Sequence, residues 1–96
     1  MEGILRRRVV VGGFVQGVWF RARCARAAED AGVAGWVRNR ADGTVEAVFE
    51  GPQAPVEAMV AWCREGPPGA RIEWIRVDTE APSGERGFRI AGENAP

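Results

Sequence analysis

The chain has 96 residues, of which 46% are hydrophobic and 27% charged, and its thirteen basic and thirteen acidic side chains cancel. This length predicts one domain over residues 1–96 with its core at about 7–91. The balanced charge disfavours nucleic acid and anionic membranes as partners. Histidine is absent, which excludes Ser-His-Asp and Cys-His catalysis and almost every zinc site. No apolar run approaches the roughly 20 residues that span a bilayer and none resembles a signal peptide, so we expect a cytoplasmic protein.

A strand and a helix are predicted first. The β-branched run at residues 8–13 (RVVVGG) is typical of a buried strand. The three arginines at residues 6–8 are expected to form a solvated strand edge. From Phe20 to Ala31, apolar residues that include Cys24 recur at helical spacing, and Gly32 suits the position just past the helix end.

Two strands joined by a hairpin follow. Residues 33–39 (VAGWVRN) and 44–50 (TVEAVFE) predict the strands, and the pair Asp42-Gly43 between them is a hairpin signal. Glu46 and Glu50 share one face of the later strand, which we expect to be solvated. Because Asp42 lies in the turn and these glutamates on a solvated face, we expect no metal site here.

A second helix and two further strands complete the prediction. The helix begins near Pro55 and carries Cys63 on its apolar face, and the glycines and prolines at residues 66–69 end it. Residues 71–79 predict a fourth strand, and residues 87–91 a short closing strand or extension. The two cysteines form no CxxC pattern, so we expect both to be small buried apolar side chains.

The order β-α-β-β-α-β indicates an α+β, ferredoxin-like fold, in which an antiparallel sheet carries both helices on one face. This fold hosts many activities. The function therefore has to be argued from particular residues.

The segment between the first strand and the first helix, residues 12–21 (GGFVQGVWFR), is the most informative. A glycine-rich turn entering a helix presents backbone N–H groups and the positive end of the helix dipole, an arrangement that binds anions. No Ser, Thr, Asp or Asn is placed to cap these donors, and a guanidinium at Arg21 suits a phosphate. The alternative is a tight turn beside a solvated Arg21. The sequence matches neither a Walker loop nor the dinucleotide fingerprint.

Asn39, at the end of the second predicted strand, is the other candidate. A side-chain amide can hold a water molecule by donating and accepting hydrogen bonds, although it is too weak a base to deprotonate that water. The alternative is ordinary turn chemistry, since Asn often precedes a hairpin.

Two segments resemble the signatures of the acylphosphatase family. Residues 11–21 (VGGFVQGVWFR) are similar to V-x-G-x-V-Q-G-V-x-F-R, and residues 35–51 (GWVRNRADGTVEAVFEG) resemble G-aromatic-V-R-N followed by G-x-V and a closing glycine. Residues 70–77 and 88–90 resemble later strand positions of the family more loosely. The likeness covers about residues 7–90, and two motifs in the right order and spacing are highly specific.

The resemblance implies a hydrolase acting on acid anhydrides, which cleaves the carboxyl–phosphate bond of small-molecule acyl phosphates without metal or cofactor. Its catalytic residues would be Arg21, which binds the phosphate, and Asn39, which positions the attacking water. The phosphate-binding residues would be Gly13, Phe14, Val15, Gln16, Gly17, Val18 and Arg21. Phe14 stands where many members carry a polar or basic side chain, and Arg40 where a small hydroxyl often follows the Asn. Both departures bear on substrate preference or on the support of Asn39. The chain's size and charge balance favour a monomer.

Two further functions stay open at this point. One is a ferredoxin-like module that binds phosphate or RNA. RNA recognition would need stacked aromatic residues on an exposed sheet face and a basic surface, and the sequence favours neither. The other is an accessory domain that keeps the phosphate site but has little turnover.

Overall fold

The computed structural model of the chain describes residues 3–92. Its elements are, in order, β1 (Ile4–Phe14), α1 (Phe20–Ala31), β2 (Ala34–Asn39), β3 (Val45–Pro52), α2 (Gln53–Glu65), β4 (Arg71–Glu80) and β5 (Phe88–Ile90). The predicted ferredoxin-like α+β fold is confirmed, and α1 has the bounds that its apolar spacing predicts. Gly32 ends α1 in the left-handed conformation, with its N–H directed at the carbonyls of Ala28 and Glu29.

The sheet has five strands in the order β4-β1-β3-β2-β5. The pairs β1–β3, β1–β4 and β2–β3 are antiparallel, as expected, whereas β5 lies parallel to β2 at the opposite edge from β4. The sequence did not predict this direction. After β4 the chain crosses from one edge of the sheet to the other, and β5 then runs opposite to β4 and so parallel to β2. The carboxylate of Glu50 holds that connection by accepting hydrogen bonds from the backbone N–H groups of Ser83, Gly84 and Glu85.

Both helices pack on one face of the sheet and enclose the core there. The ring of Phe20 on α1 meets Trp62 on α2 edge to face at 5.2 Å, and Phe49 of β3 stacks on Phe88 of β5 at 5.7 Å. Cys24 and Cys63 are both buried in this core, as predicted, and both are free thiols. The neighbouring Cys63 thiol, together with burial, raises the pKa of the Cys24 thiol well above its usual value.

The opposite, open face of the sheet carries a group of paired charges, which we call the ionic layer. It consists of Arg6, Arg8, Arg38, Glu46, Glu50, Glu80 and Glu85. Two of its closest contacts join Arg8 Nη1 to Glu46 Oε2 at 2.6 Å and Arg38 Nη2 to Glu46 Oε1 at 2.7 Å. The guanidinium carbons of Arg8 and Arg38 each lie 5.5 Å from the ring centre of Trp36, which they cover.

The ionic layer corrects two expectations. Residues 6–8 do not form a solvated strand edge, because β1 lies between β4 and β3 inside the sheet and Arg6 is buried. The face of Glu46 and Glu50 is not solvated either, and Glu50 is only 5% exposed. The physical reason is that the arginine and glutamate side chains shield one another from solvent. Long arginine side chains on neighbouring strands lie over the carboxylates and satisfy their charge at the same time.

Candidate active site

The chain between β1 and α1 turns sharply at residues 15–19. A bulge between Gly12 and Gly13 shifts the pairing of β1 with β4, so that Gly13 and Phe14 pair with Ile72 and Arg71. Two of the residues assigned to the phosphate loop therefore belong to the end of the strand. The turn needs a left-handed backbone at Gly17, where φ is 79° and a glycine adopts it without strain.

The start of α1 is not capped by the side chain of its N-cap residue. Trp19 occupies the N-cap position without a side-chain hydrogen bond, and the first turn carries no acidic residue. The first N–H groups of a helix have no partners within the helix, and the helix dipole places positive charge at this end. The helix start thus has the donors and the sign of charge that an anion requires.

Arg21 and Asn39 lie together in a cleft of about 370 Å³ at this helix start. Arg21 belongs to the first turn of α1, and Asn39 is the last residue of β2. The cleft is lined by Val15, Gly17, Trp19, Phe20, Arg21, Ala22, Asn39 and Ile90. Within residues 3–92, neither the guanidinium of Arg21 nor the side-chain amide of Asn39 has a hydrogen-bond or ion-pair partner. Two polar side chains from different elements therefore line one cleft, and neither forms a hydrogen bond or ion pair with the described residues.

The side chain of Gln16 ties the loop to the hairpin that follows Asn39. Its Nε2 donates hydrogen bonds to the carbonyl oxygens of Arg40, at 2.8 Å, and Thr44, at 2.9 Å. From the sequence, Gln16 is expected only as part of the phosphate-binding loop, and this link is not predicted. No local pattern indicates it, since the partners are backbone carbonyls 24 and 28 positions away.

The hairpin itself is held by hydrogen bonds of its own. The Arg40 N–H donates to the Thr44 carbonyl at 2.9 Å, and Asp42 Oδ1 accepts from the Thr44 N–H at 3.0 Å and from its hydroxyl at 2.6 Å. The bond from the Thr44 hydroxyl is the main cause that lowers the pKa of Asp42. Asp42 thus stabilises the turn, and the backbone that follows Asn39 is held by hydrogen bonds.

The remaining sequence candidates lie elsewhere. Phe14 is exposed but borders a different depression, beside Arg71 and Glu73, so it does not line the cleft. Ile90 of β5 does line the cleft, and the sequence analysis gave it no role. Within residues 3–92 no three His, Cys, Asp or Glu side chains are grouped closely enough to hold a metal ion. None of the helices in that range is long and apolar enough to cross a membrane.

Comparison with known proteins identifies relatives across nearly the whole chain. The family model described as acylphosphatase matches residues 7–90. An acylphosphatase of Gloeobacter violaceus is 54% identical over 90 residues, which cover 94% of this chain and 97% of that protein. The crystal structure of the acylphosphatase from Bacillus subtilis is 36% identical, with a TM-score of 0.87 over 91% of this chain and 98% of the other.

A second solved structure agrees with this result. The acylphosphatase from Coxiella burnetii is 32% identical and has a TM-score of 0.87, covering 92% of this chain and 93% of that one. The matched range includes both segments that meet at the cleft, the turn into α1 and the end of β2. The chain belongs to the acylphosphatase family.

Proposed function

We propose that this member of the acylphosphatase family, a hydrolase of acyl phosphates, carries out its reaction in the cleft at the start of α1. Arg21 and the N–H groups of residues 15–18 hold the phosphoryl group, with Gly13 and Phe14 supporting the loop from the strand. Asn39 positions the attacking water. The observation that carries this proposal is that Arg21 and Asn39 line one cleft with no partner among residues 3–92.

The leaving group explains why these few residues suffice. The departing carboxylate has a pKa near 4 to 5, about that of Asp or Glu side chains, so no acid is needed to protonate it. Phosphoryl transfer passes through a loose transition state, and catalysis consists mainly of positioning and charge stabilisation. A guanidinium and a set of backbone donors can position the phosphoryl group and stabilise the negative charge on its equatorial oxygens.

The attacking water needs orientation rather than a strong base. The amide of Asn39 accepts one hydrogen bond from the water and donates another, which holds its oxygen in line with the bond that breaks. The water oxygen bonds to phosphorus as the bond from phosphorus to the carboxyl oxygen breaks. The water's proton passes to a phosphoryl oxygen, and the products are a carboxylate and inorganic phosphate.

The family comparisons favour this catalytic function over the binding or accessory module. The open sheet face gives no support to RNA binding, because Trp36 is covered by Arg8 and Arg38 rather than available for stacking. We further propose that the chain acts as a single domain, as a monomer, in the cytoplasm and without nucleic-acid partners. The absence of nucleic-acid partners agrees with the balanced charge of the chain.

The decisive experiment measures hydrolysis of benzoyl phosphate by the purified protein and by two variants, Arg21→Ala and Asn39→Ala. Arg21→Ala removes a donor to the phosphoryl group, and Asn39→Ala removes the amide that orients the water. By analogy with the loss of an oxyanion-hole donor, we expect each to lower the rate by roughly 10² to 10³. Arg23→Ala is the matched control, because Arg23 is exposed on the same helix but lines no part of the cleft. Near-normal turnover by Arg21→Ala or Asn39→Ala would show that the role assigned to that residue is wrong.

Metal independence is tested in the same assay. We expect the rate to be unchanged in excess chelator, since the proposed steps use only Arg21, Asn39 and backbone donors. Loss of activity in chelator that Mg²⁺ restores would contradict the proposal.

A further inference from the structure

The cleft has an apolar rim that phosphate binding does not require. Among residues 3–92 the exposed large hydrophobic side chains are Ile4, Phe14, Trp19, Trp74 and Ile90. Two of them, Trp19 at 74% exposed and Ile90 at 48%, line the cleft that contains Arg21 and Asn39. Large apolar side chains left in water beside polar groups commonly mark a ligand site.

Trp19 also has an unusual backbone. Its φ of 63° and ψ of 22° lie in the left-handed region, and no other non-glycine residue of the described range has a positive φ. Glycine or asparagine adopts this conformation more readily than a bulky residue. Such strain is concentrated at functional sites. The turn before α1 thus combines a strained backbone with an exposed indole, and the fold needs neither of these for its core.

Ile90 reaches the same cleft from the last strand. It pairs with Val37 of β2, and the N–H of Ala91 donates to the Val37 carbonyl at 2.8 Å, two residues before Asn39. Side chains two positions apart lie on the same face of a strand. Phe88 stacks on Phe49 in the core, so Ile90 lies on the helix-covered side as well, beyond the point where the core ends.

We propose that Trp19 and Ile90 bind the acyl half of the substrate, and that the preferred substrates are acyl phosphates with an aromatic or bulky apolar acyl group. This inference rests on the proposed function, because it takes the phosphoryl group to lie at Arg21. The acyl group is bonded to that phosphoryl group and therefore lies next to it, where Trp19 and Ile90 border the same cleft. The volume of about 370 Å³ falls in the range of roughly 300–1,000 Å³ typical of sites that enclose a small organic ligand.

The experiment compares kcat/KM for benzoyl phosphate and acetyl phosphate, which share the reacting group and differ in the acyl group. For Trp19→Ala we expect a fall of about tenfold with benzoyl phosphate, since losing one apolar contact surface changes discrimination by roughly that factor or more. With acetyl phosphate we expect a change below about twofold, because a methyl group offers little area to bury. Ile90→Ala should lower kcat/KM for benzoyl phosphate by about threefold.

Each variant has a matched control of the same residue type. Trp74→Ala and Ile4→Ala remove exposed side chains outside the cleft, and we expect both to keep the ratio of benzoyl to acetyl turnover. Trp19→Phe should restore the ratio, since it retains an aromatic ring. Circular dichroism checks that each variant is folded, and Ile90→Ala tests the proposal on its own if Trp19→Ala does not fold.

The outcomes separate the two proposals. An active parent whose ratio is unchanged in Trp19→Ala and Ile90→Ala overturns this inference alone. Equal losses on both substrates also overturn it, because they show that Trp19 only shapes the loop. A folded parent that hydrolyses neither substrate overturns the proposed function and this inference together.

Discussion

The cleft and the ionic layer use arginine in opposite ways. In the ionic layer, Arg6 binds three carboxylates, those of Glu50, Glu80 and Glu85, at 3.0 to 3.1 Å. In the cleft, Arg21 is exposed and has no carboxylate partner in the part of the chain that the structure describes. A paired arginine contributes its charge to the fold, whereas an arginine without a partner keeps its charge for a ligand.

The largest effect that would test this contrast is expected in the ionic layer. Glu50→Gln removes the negative charge that Arg6 and three backbone N–H groups bind. It also replaces one acceptor oxygen by an NH2 group, which cannot accept hydrogen bonds from these donors. Breaking a buried pair in this way costs about 3–5 kcal/mol. We expect that loss in the free energy of unfolding measured with urea. The exposed Glu65→Gln serves as control and should change it by less than about 0.5 kcal/mol.

Activity completes the test of Glu50. At a temperature where Glu50→Gln is fully folded, its kcat/KM should equal that of the parent, since Glu50 does not line the cleft. A large loss of activity in the folded variant would show that the two regions are coupled.

Arg21→Ala is expected to show the reverse pattern. Its loss of activity, roughly 10² to 10³-fold or about 2.7–4 kcal/mol, should leave the free energy of unfolding within about 0.5 kcal/mol of the parent. The physical reason is that Arg21 makes no hydrogen bond or ion pair with any residue of the described chain. Urea unfolding in the absence of phosphate measures this directly. Strong destabilisation would indicate that Arg21 is part of the fold after all.

Gln16→Ala should have an intermediate effect on both the catalytic activity and the free energy of unfolding. It removes the hydrogen bonds to the carbonyls of Arg40 and Thr44 that connect the loop to the hairpin. We expect a loss of about 1–2 kcal/mol in stability and a roughly tenfold fall in kcat, because Asn39 then holds the attacking water less firmly in position. KM should change little if Gln16 acts only by positioning Asn39. A rise in KM with unchanged kcat would argue against that role.

The smallest effect is expected when the pH is changed between about 5.5 and 7.5, where the stability of the fold should hardly vary. Burial alone would raise the pKa of Glu46 and Glu50, but hydrogen bonds from Arg38 and Arg8, and from Ser83 and Arg6, outweigh it and lower both pKa values. The bond from Arg8 is the main cause that lowers the pKa of Glu80. A lowered folded-state pKa means that the unfolded chain binds more protons in acid.

Stability is therefore expected to be nearly constant above pH 5.5 and to fall once the pH drops below the unfolded pKa of glutamate, about 4.3. The fall should continue until the pH passes the lower pKa values of the folded state. Urea unfolding at a series of pH values measures this profile. A stability that rose on acidification from pH 5 to pH 3 would contradict the pairing in the ionic layer.

Much of the site was predictable because its signals are local. The glycine turn, the uncapped helix start and the apolar spacing of α1 all lie within residues 12–31, and Asn39 precedes a recognisable hairpin. The ionic layer was not predictable, since the partners of Arg6 and Arg8 lie 38 to 79 positions away and alternating charges look the same on a solvated strand. Ile90 was missed for the same reason, because only the parallel pairing of β5 with β2 brings it to the cleft.

The carboxylate of Glu50 also occupies a second place on the chain where backbone N–H groups could hold an anion. The consecutive N–H groups of Ser83, Gly84 and Glu85 converge on it, which is the geometry of a backbone nest for an anion. This nest is filled by a group of the chain itself, whose effective concentration far exceeds that of a dissolved ion. We therefore expect that free phosphate does not displace this internal ligand. Titration with inorganic phosphate should therefore saturate at one equivalent per chain, at the start of α1.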